Sequence, residues 1–164
     1  MGNPDHPPPQ SIIDKLCEAA KNPRNHRYSA SRGIAKLRLA MANYYQRRFG
    51  VELDHESEVV TTIGVKEGFS HLMWATVNPG DVVMVPTPAY PIHTFAFSLS
   101  KSNVVHLAVI KASDFLRDLK KFVEEKIAKG EEKPLAVIVN YPCNPTTEIV
   151  GLEFYQEMVD FCKK

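Results

Sequence analysis

Short apolar runs alternate with amphipathic helical patterns along most of this 164-residue sequence. The apolar runs that read as strands are residues 59–63, 82–85, 104–109 and 135–139. Helical periodicity lies between and after them, over residues 67–77, 91–99, 114–129 and 152–162. Because strands joined by helices usually pair in parallel, the alternation predicts a three-layer α/β fold with a mainly parallel sheet and helices on both faces.

The residues before this alternation predict helices only. Ser11 is a suitable N-cap for a first helix, and Asn22-Pro23 would stop it. A second helix would place Ile34, Leu37, Met41 and Tyr44 inward and end near Gly50. We therefore divide the chain into a helical segment, residues 1–58, and a sheet-containing segment, residues 59–164.

Composition excludes several classes of function. The chain is 44% hydrophobic and 24% charged with a formal net charge of +1, which argues against nucleic-acid binding by bulk positive charge. No apolar run is long enough to span a membrane, and no secretory signal opens the sequence. The histidines and the three cysteines lack metal-ligand spacing, so we expect no metal site and a cytoplasmic location with reduced thiols.

Three loops follow three predicted strands. In the first, Gly64 sits between a strand and a helix that begins near Lys66. The first N–H groups of a helix lack intrahelical acceptors and lie at its positive end, so Gly64, Val65 and Lys66 could seat a phosphate. A plain strand-to-helix turn is the alternative interpretation.

The other two loops are stiffened by prolines. One holds Tyr90, whose flat ring could stack on a heterocycle, although for this loop taken alone a tyrosine that packs on its own loop is the simpler explanation. The other presents Asn144 between Pro142 and Pro145, where its amide could bind a ring oxygen. The alternative is that the Asn-Pro-Thr turn simply separates a strand from a helix. In open α/β sheets, ligands bind at the carboxyl ends of strands, where all three loops would lie.

Together these loops suit a flat, phosphorylated, oxygen-bearing ring such as pyridoxal 5′-phosphate. The sequence also resembles class I/II aminotransferases of fold type I, and most of all their alanine and LL-diaminopimelate aminotransferase branch. Five motifs carry the resemblance in the family's order, at residues 1–5, 27–33, 61–68, 88–91 and 144–147. The resemblance implies transfer of an amino group between an amino acid and a 2-oxo acid.

The resemblance also implies residue roles. Gly64, Val65 and Lys66 would hold the coenzyme phosphate, Tyr90 would stack on its ring, and Asn144 would donate to the ring 3′-oxygen. Tyr28 would reach across a homodimer interface to the partner's phosphate. Gly2 would lie near the substrate carboxylate, which is the weakest of these matches.

The family's Schiff-base lysine would follow the Asn144 loop in a Ser-x-x-Lys motif, and no such motif follows it here. Residues 98–101 spell the motif, but they precede Asn144, so we interpret Lys101 as a decoy at a helix end. The chain would correspond to an amino-terminal portion of the enzyme and would be inactive alone. The alternative is a non-catalytic remnant that folds and self-associates without coenzyme.

The family topology raises an expectation about the sheet as well. The strand at residues 59–63 would lack its usual neighbours, and an unpaired apolar strand is sticky. We expect one of two outcomes: the strand pairs with residues 135–139 to give a four-stranded sheet, or a second copy of the chain covers the exposed edges.

Overall fold

The computed structural model describes residues 5–109 and 111–164. The chain divides into two compact units, Met1–Thr62 and Ile63–Lys164, which we describe separately. The predicted division at residues 58 and 59 remains a prediction about domain organisation. Among the described residues, no helix has the length and apolar character needed to cross a bilayer.

The first unit contains helices α1 (Gln10–Ala20) and α2 (Ala35–Phe49), with a 3₁₀ turn at Pro23–Asn25 between them. The N-cap of α1 is Pro9, so the prediction of Ser11 as the cap was wrong. Ser11 instead lies in the first turn of α1, since the helix begins at Gln10. Helix α2 ends as predicted, because Gly50 adopts the left-handed conformation (φ +67°) that stops a helix.

A buried arginine organises the loops around α2. The Arg38 side chain is only 6% exposed and pairs with the Glu56 carboxylate at 2.8 Å. It also donates to the backbone carbonyls of His55, at 2.8 Å, and Gly33. The predicted inward face was wrong in part, since Ile34, Leu37 and Tyr44 are exposed whereas Arg38 and Ala42 are buried. A paired arginine can take an inward position that apolar periodicity assigns to leucine.

The second unit alternates helices and strands. Its elements are α3 (Gly64–Thr76), β1 (Val82–Thr87), α4 (Ile92–Leu99), β2 (Asn103–Ala108), α5 (Ala112–Ala128), β3 (Ala136–Val137) and α6 (Leu152–Cys162). The strands form a parallel sheet in the order β2-β1-β3. Strand β1 is therefore central, and its register runs from Val82 opposite Asn103 to Thr87 opposite Ala108.

Alternate residues of β1 pack into two separate hydrophobic clusters. Met84 joins one cluster with buried residues of α5 and α6, such as Phe115, Leu119 and Phe154. Val83 and Val85 join the other cluster, whose buried members come from α3, α4 and the residue after α3: Met73, Val77, Ala96 and Phe97. Because successive side chains of a strand point to opposite faces, the two clusters lie on the two sides of the sheet. The predicted three-layer α/β fold is confirmed.

Two strand predictions were wrong or too long. Residues 59–63 form no strand, and the Thr61 N–H donates instead to the Arg32 carbonyl at 3.1 Å. The four-stranded sheet that would pair them with residues 135–139 is therefore not formed. An apolar run forms a strand only where a neighbouring strand supplies a hydrogen-bond ladder. For β3 that neighbour is β1, on one side only. That ladder covers Ala136–Val137 rather than residues 135–139.

Candidate functional site

The carboxyl edge of the sheet collects two of the three predicted loops directly. Strand β1 ends at Thr87, so the loop with Tyr90 leaves from this edge, and the loop with Asn144 follows β3 on the same side. The start of α3 lies here too, because Lys66 in its first turn places its ammonium nitrogen 5.4 Å from the centroid of the Tyr90 ring. The sequence-predicted residues Lys66 and Tyr90 are therefore in contact.

The turn into α3 leaves backbone donors open. Gly64 has φ +79°, a conformation that suits glycine, and a Cβ built on it would meet no atom within 4 Å. The Ile63 N–H donates to the Glu67 carboxylate at 2.9 Å. In the described part of the chain, the N–H groups of Gly64, Val65 and Lys66 donate to no side chain and to no loop carbonyl. Helix geometry gives them no intrahelical acceptor, so they form an exposed donor set for an anion.

A row of aromatic rings links Tyr90 to the core. The half-buried Tyr90 makes an edge-to-face contact with His93 at 5.9 Å, and His93 contacts Phe69 at 5.5 Å. Phe69 in turn packs against the fully buried Phe97 at 5.9 Å. Such contacts stabilise ring orientation beyond simple burial. The position of Tyr90 is therefore set through three further rings.

His93 is unusual within this row. Its Nδ1 atom is buried and has no hydrogen-bond partner among the described residues. Burial lowers the pKa of the His93 imidazole, so the ring is held neutral. Within the part of the chain that the structure describes, the buried His93 nitrogen is thus a polar atom without a hydrogen-bond partner, beside Tyr90 and Phe69.

The Asn144 loop lies beside the Tyr90 loop. The Cys143 thiol lies 4.0 Å from the Pro88 carbonyl, while the Cys143 N–H donates to the Glu148 carbonyl at 2.8 Å. The Thr147 N–H closes the turn on the Cys143 carbonyl at 2.7 Å. Asn144 lies within this closed turn and is exposed.

Tyr141 precedes this turn and packs edge-to-face on Phe154 at 5.2 Å. Burial, together with the nearby Glu148 and Cys143, raises the pKa of the Tyr141 phenol to about 12. The Tyr141 hydroxyl therefore stays protonated at neutral pH, and the ring contact with Phe154 connects the base of the Asn144 loop to α6.

Tyr28 and Gly2 were also predicted as site residues. Tyr28 belongs to the first unit and is fully exposed. Gly2 lies outside the described residues, so its predicted role stays a prediction.

Lys101 lies at the opposite edge of the sheet. It precedes β2, and its carbonyl accepts from the Gly80 N–H at 3.1 Å in the turn before β1. The six residues of β2 span about 17 Å, which separates Lys101 from the loops that carry Tyr90 and Asn144.

Sequence reasoning missed His93, Phe69 and Glu67. The spacing Tyr90-x-x-His93 was a usable signal, because residues three apart at the start of a helix share a face. Glu67 was detectable as the acidic residue of the first helical turn, which often accepts from an N–H just before the helix. Neither motif reveals that the His93 nitrogen is buried.

The fold defines a class of protein: a parallel α/β domain whose carboxyl sheet edge carries the start of α3, the Tyr90 loop and the Asn144 loop. Across the described residues, no group of three or more His, Cys, Asp or Glu side chains could hold a metal ion. The chain belongs to the aminotransferase class I and II family, whose model matches residues 1–164.

Relatives within the family are substantially similar over the whole chain. AatC of Rhizobium meliloti (strain 1021) is 49% identical over 164 residues, and the match covers 100% of this chain and 40% of AatC. The glutamate-pyruvate aminotransferase AlaC of Escherichia coli (strain K12) is 43% identical, with 100% and 39% covered. The LL-diaminopimelate aminotransferase of Dehalococcoides mccartyi (strain CBDB1) is 41% identical, with 100% and 41% covered.

A solved structure is similar as well. Substrate-bound BacF from Bacillus subtilis superposes with a TM-score of 0.88 at 33% identity, over 99% of this chain and 40% of BacF. The expected aminotransferase resemblance is thus confirmed. The chain spans about two-fifths of the length of these relatives.

Proposed function

We propose that this chain supplies the phosphate and ring subsites of a pyridoxal 5′-phosphate-dependent aminotransferase, which transfers an amino group between an amino acid and a 2-oxo acid. One observation carries the proposal: Lys66 brings the open start of α3 and the ring of Tyr90 together at the carboxyl edge of the sheet. The two subsites are adjacent, as a ligand that combines a phosphate with a ring requires.

The residues present fit that coenzyme. The exposed N–H groups of Gly64, Val65 and Lys66 match an anion, and the Lys66 ammonium adds a positive charge. Tyr90 offers an aromatic surface beside them, and His93 and Phe69 support that ring from behind. When bound, pyridoxal 5′-phosphate supplies an electron sink for the amino transfer.

The chain's own part is to bind and orient. Gly64, Val65 and Lys66 would hold the phosphate, Tyr90 would support one face of the ring, and the Asn144 amide would donate to the ring 3′-oxygen. The proximity of Cys143 to Pro88 supports this arrangement, because it places the Asn144 loop beside the Tyr90 loop.

A homodimer belongs to the same proposal. In it Tyr28 would reach the partner's phosphate and Gly2 would lie near the substrate carboxylate. Helix α1 supports self-association, since it buries no residue and its apolar Ile12 and Leu16 are 58% and 69% exposed. The free thiols of Cys17, Cys143 and Cys162 support a cytoplasmic location. Light scattering measures the assembly, and a clean monomer at high concentration would contradict it.

The 164 residues by themselves are proposed to be inactive. No Ser-x-x-Lys occurs in residues 148–164, and Lys101 lies at the far edge of the sheet. Without a lysine to move the proton, amino transfer should be unmeasurable. Pyruvate formation from alanine and 2-oxoglutarate that Lys101→Ala abolishes and Lys66→Ala retains would overturn this proposal.

An absorbance titration with pyridoxal 5′-phosphate tests coenzyme binding. We expect a shifted coenzyme band in the wild-type chain and a weaker response in Lys66→Met, with Lys101→Met as the control at the opposite edge. A spectrum identical to that of free coenzyme would favour the alternative, a fragment that folds without coenzyme.

A further inference from the structure

The Lys66 ammonium can contact the Tyr90 ring or an anion at the start of α3, but not both at once. Its nitrogen lies over the Tyr90 ring at 5.4 Å, and its backbone N–H belongs to the open donor set at the start of α3. Side chains of a helix tilt toward the helix N-terminus, so the Lys66 ammonium can also reach an anion seated there. A lysine over a ring gains only a weak attraction, whereas an anion offers a full opposite charge.

No ion pair among the described residues holds the Lys66 ammonium in place. Among the ion pairs of residues 5–109 and 111–164, none includes Lys66. The adjacent Glu67 is engaged elsewhere: one carboxylate oxygen accepts from the Ile63 N–H and the other lies 2.6 Å from His71 Nδ1. The Tyr90 ring is therefore the contact that restrains the Lys66 ammonium in this structure.

We propose that Lys66 couples the two subsites: it covers the Tyr90 ring while no anion is bound, and it leaves the ring when an anion binds at α3. The inference rests on the proposed function, since it assumes the phosphate and ring subsites. It adds to that function an order of events, in which the phosphate end of the coenzyme uncovers the surface that receives the ring. Anion and ring should then bind with positive cooperativity.

The size of the coupling follows from the contact that is given up. An exposed lysine over an aromatic ring contributes an attraction that corresponds to about a two- to fivefold change in affinity. Inorganic phosphate should therefore tighten the binding of a ring that carries no phosphate by about two- to fivefold. Removal of the Lys66 charge should abolish this effect, because an anion cannot draw a neutral side chain away from the Tyr90 ring.

Pyridoxine and inorganic phosphate are suitable probes, used separately and together at constant ionic strength. Pyridoxine has the ring but neither phosphate nor aldehyde, so it cannot form a Schiff base with any lysine. NMR can follow three signals: the Gly64 and Val65 amides for the anion, the Lys66 ε-methylene for its contact with the ring, and the Tyr90 ring for pyridoxine. The proteins are wild type, Lys66→Met, Lys66→Arg and the control Lys101→Met.

We expect phosphate to move the Lys66 ε-methylene signal from its ring-shifted position to that of a free lysine. We also expect phosphate to tighten pyridoxine binding in wild type, Lys66→Arg and Lys101→Met but not in Lys66→Met. If phosphate shifts the Gly64 and Val65 amides while Lys66 stays over the ring, or if Lys66→Met retains the effect, the coupling is wrong and the subsites stand. If phosphate leaves those amides unmoved, the anion subsite of the proposed function fails, and the coupling fails with it.

Discussion

We expect the position of the Tyr90 loop to depend on Phe97, a residue of α4. Its side chain is 0% exposed and packs against α3 and β1 within a cluster that includes Met73 and Val85. Truncation of a buried phenylalanine to alanine costs about 3–5 kcal/mol, since transfer energy is lost and a cavity remains. Phe95, two residues away on α4, is 62% exposed, and its truncation should change stability by less than about 0.5 kcal/mol.

Urea unfolding followed by far-UV circular dichroism compares Phe97→Ala and Phe95→Ala directly. We expect the midpoint to fall strongly in Phe97→Ala alone, with unchanged slopes in both. Phe97→Ala should also broaden the NMR signals of the Tyr90 ring, because Phe69 and His93 connect the two rings. Equal stabilities for the two variants would refute the packing of α4 described above.

Three further predictions concern charged and titrating groups. Arg38→Met should lower the free energy of unfolding by about 1–3 kcal/mol, because two part-buried backbone carbonyls lose their donor. Arg32 is 60% exposed and pairs with the same Glu56, so Arg32→Met should cost less than about 1 kcal/mol in the same urea assay. The pKa of Tyr141 is raised to about 12 in the folded state, above its unfolded value, so its contribution to folding stability is complete below pH 10 and is lost as pH rises through 12. The free energy of unfolding should therefore fall more steeply from pH 10 to 12 in wild type than in Tyr141→Phe. An identical slope in the two proteins would contradict the shift. Glu67→Gln keeps an acceptor for the Ile63 N–H but removes a negative charge beside the anion subsite. Phosphate should then bind about threefold tighter, which is the effect of two unit charges about 6 Å apart in water. Calorimetry that shows no change in phosphate affinity would argue against an anion at the start of α3.

The parts of the fold that depend on local pattern were predictable from the sequence. Helix α6 begins and ends where its periodicity placed it, and Gly50 stops α2 as a left-handed glycine should. Residues 59–63 show where pattern fails, because a strand is a property of a pair, and nothing in an apolar run specifies its neighbour. The same limit explains why β3 is shorter than its apolar run.

The site was predictable as a set of loops but not as a set of contacts. Parallel strands place their following loops at one edge, so the proximity of the Tyr90 and Asn144 loops follows from the alternation of elements. The contact of Lys66 with Tyr90 and the buried nitrogen of His93 depend on how α3 packs against α4, which no spacing encodes. Tyr28 and Gly2 were assigned by resemblance alone, and their roles stay predictions.

The strand order has a consequence for how the sheet assembles. Strand β1 is both the middle strand and the first to be synthesised, so each later strand can add to an edge that already exists. Val82 meets Asn103 across a short stretch of chain, whereas Val83 meets Ala136 across one that is more than twice as long. Closing the longer loop costs about 0.8 kcal/mol more in chain entropy, and it gains only a two-residue ladder. Strands β1 and β2, with α4 between them, should therefore form the folding nucleus, and β3 should dock last and open first.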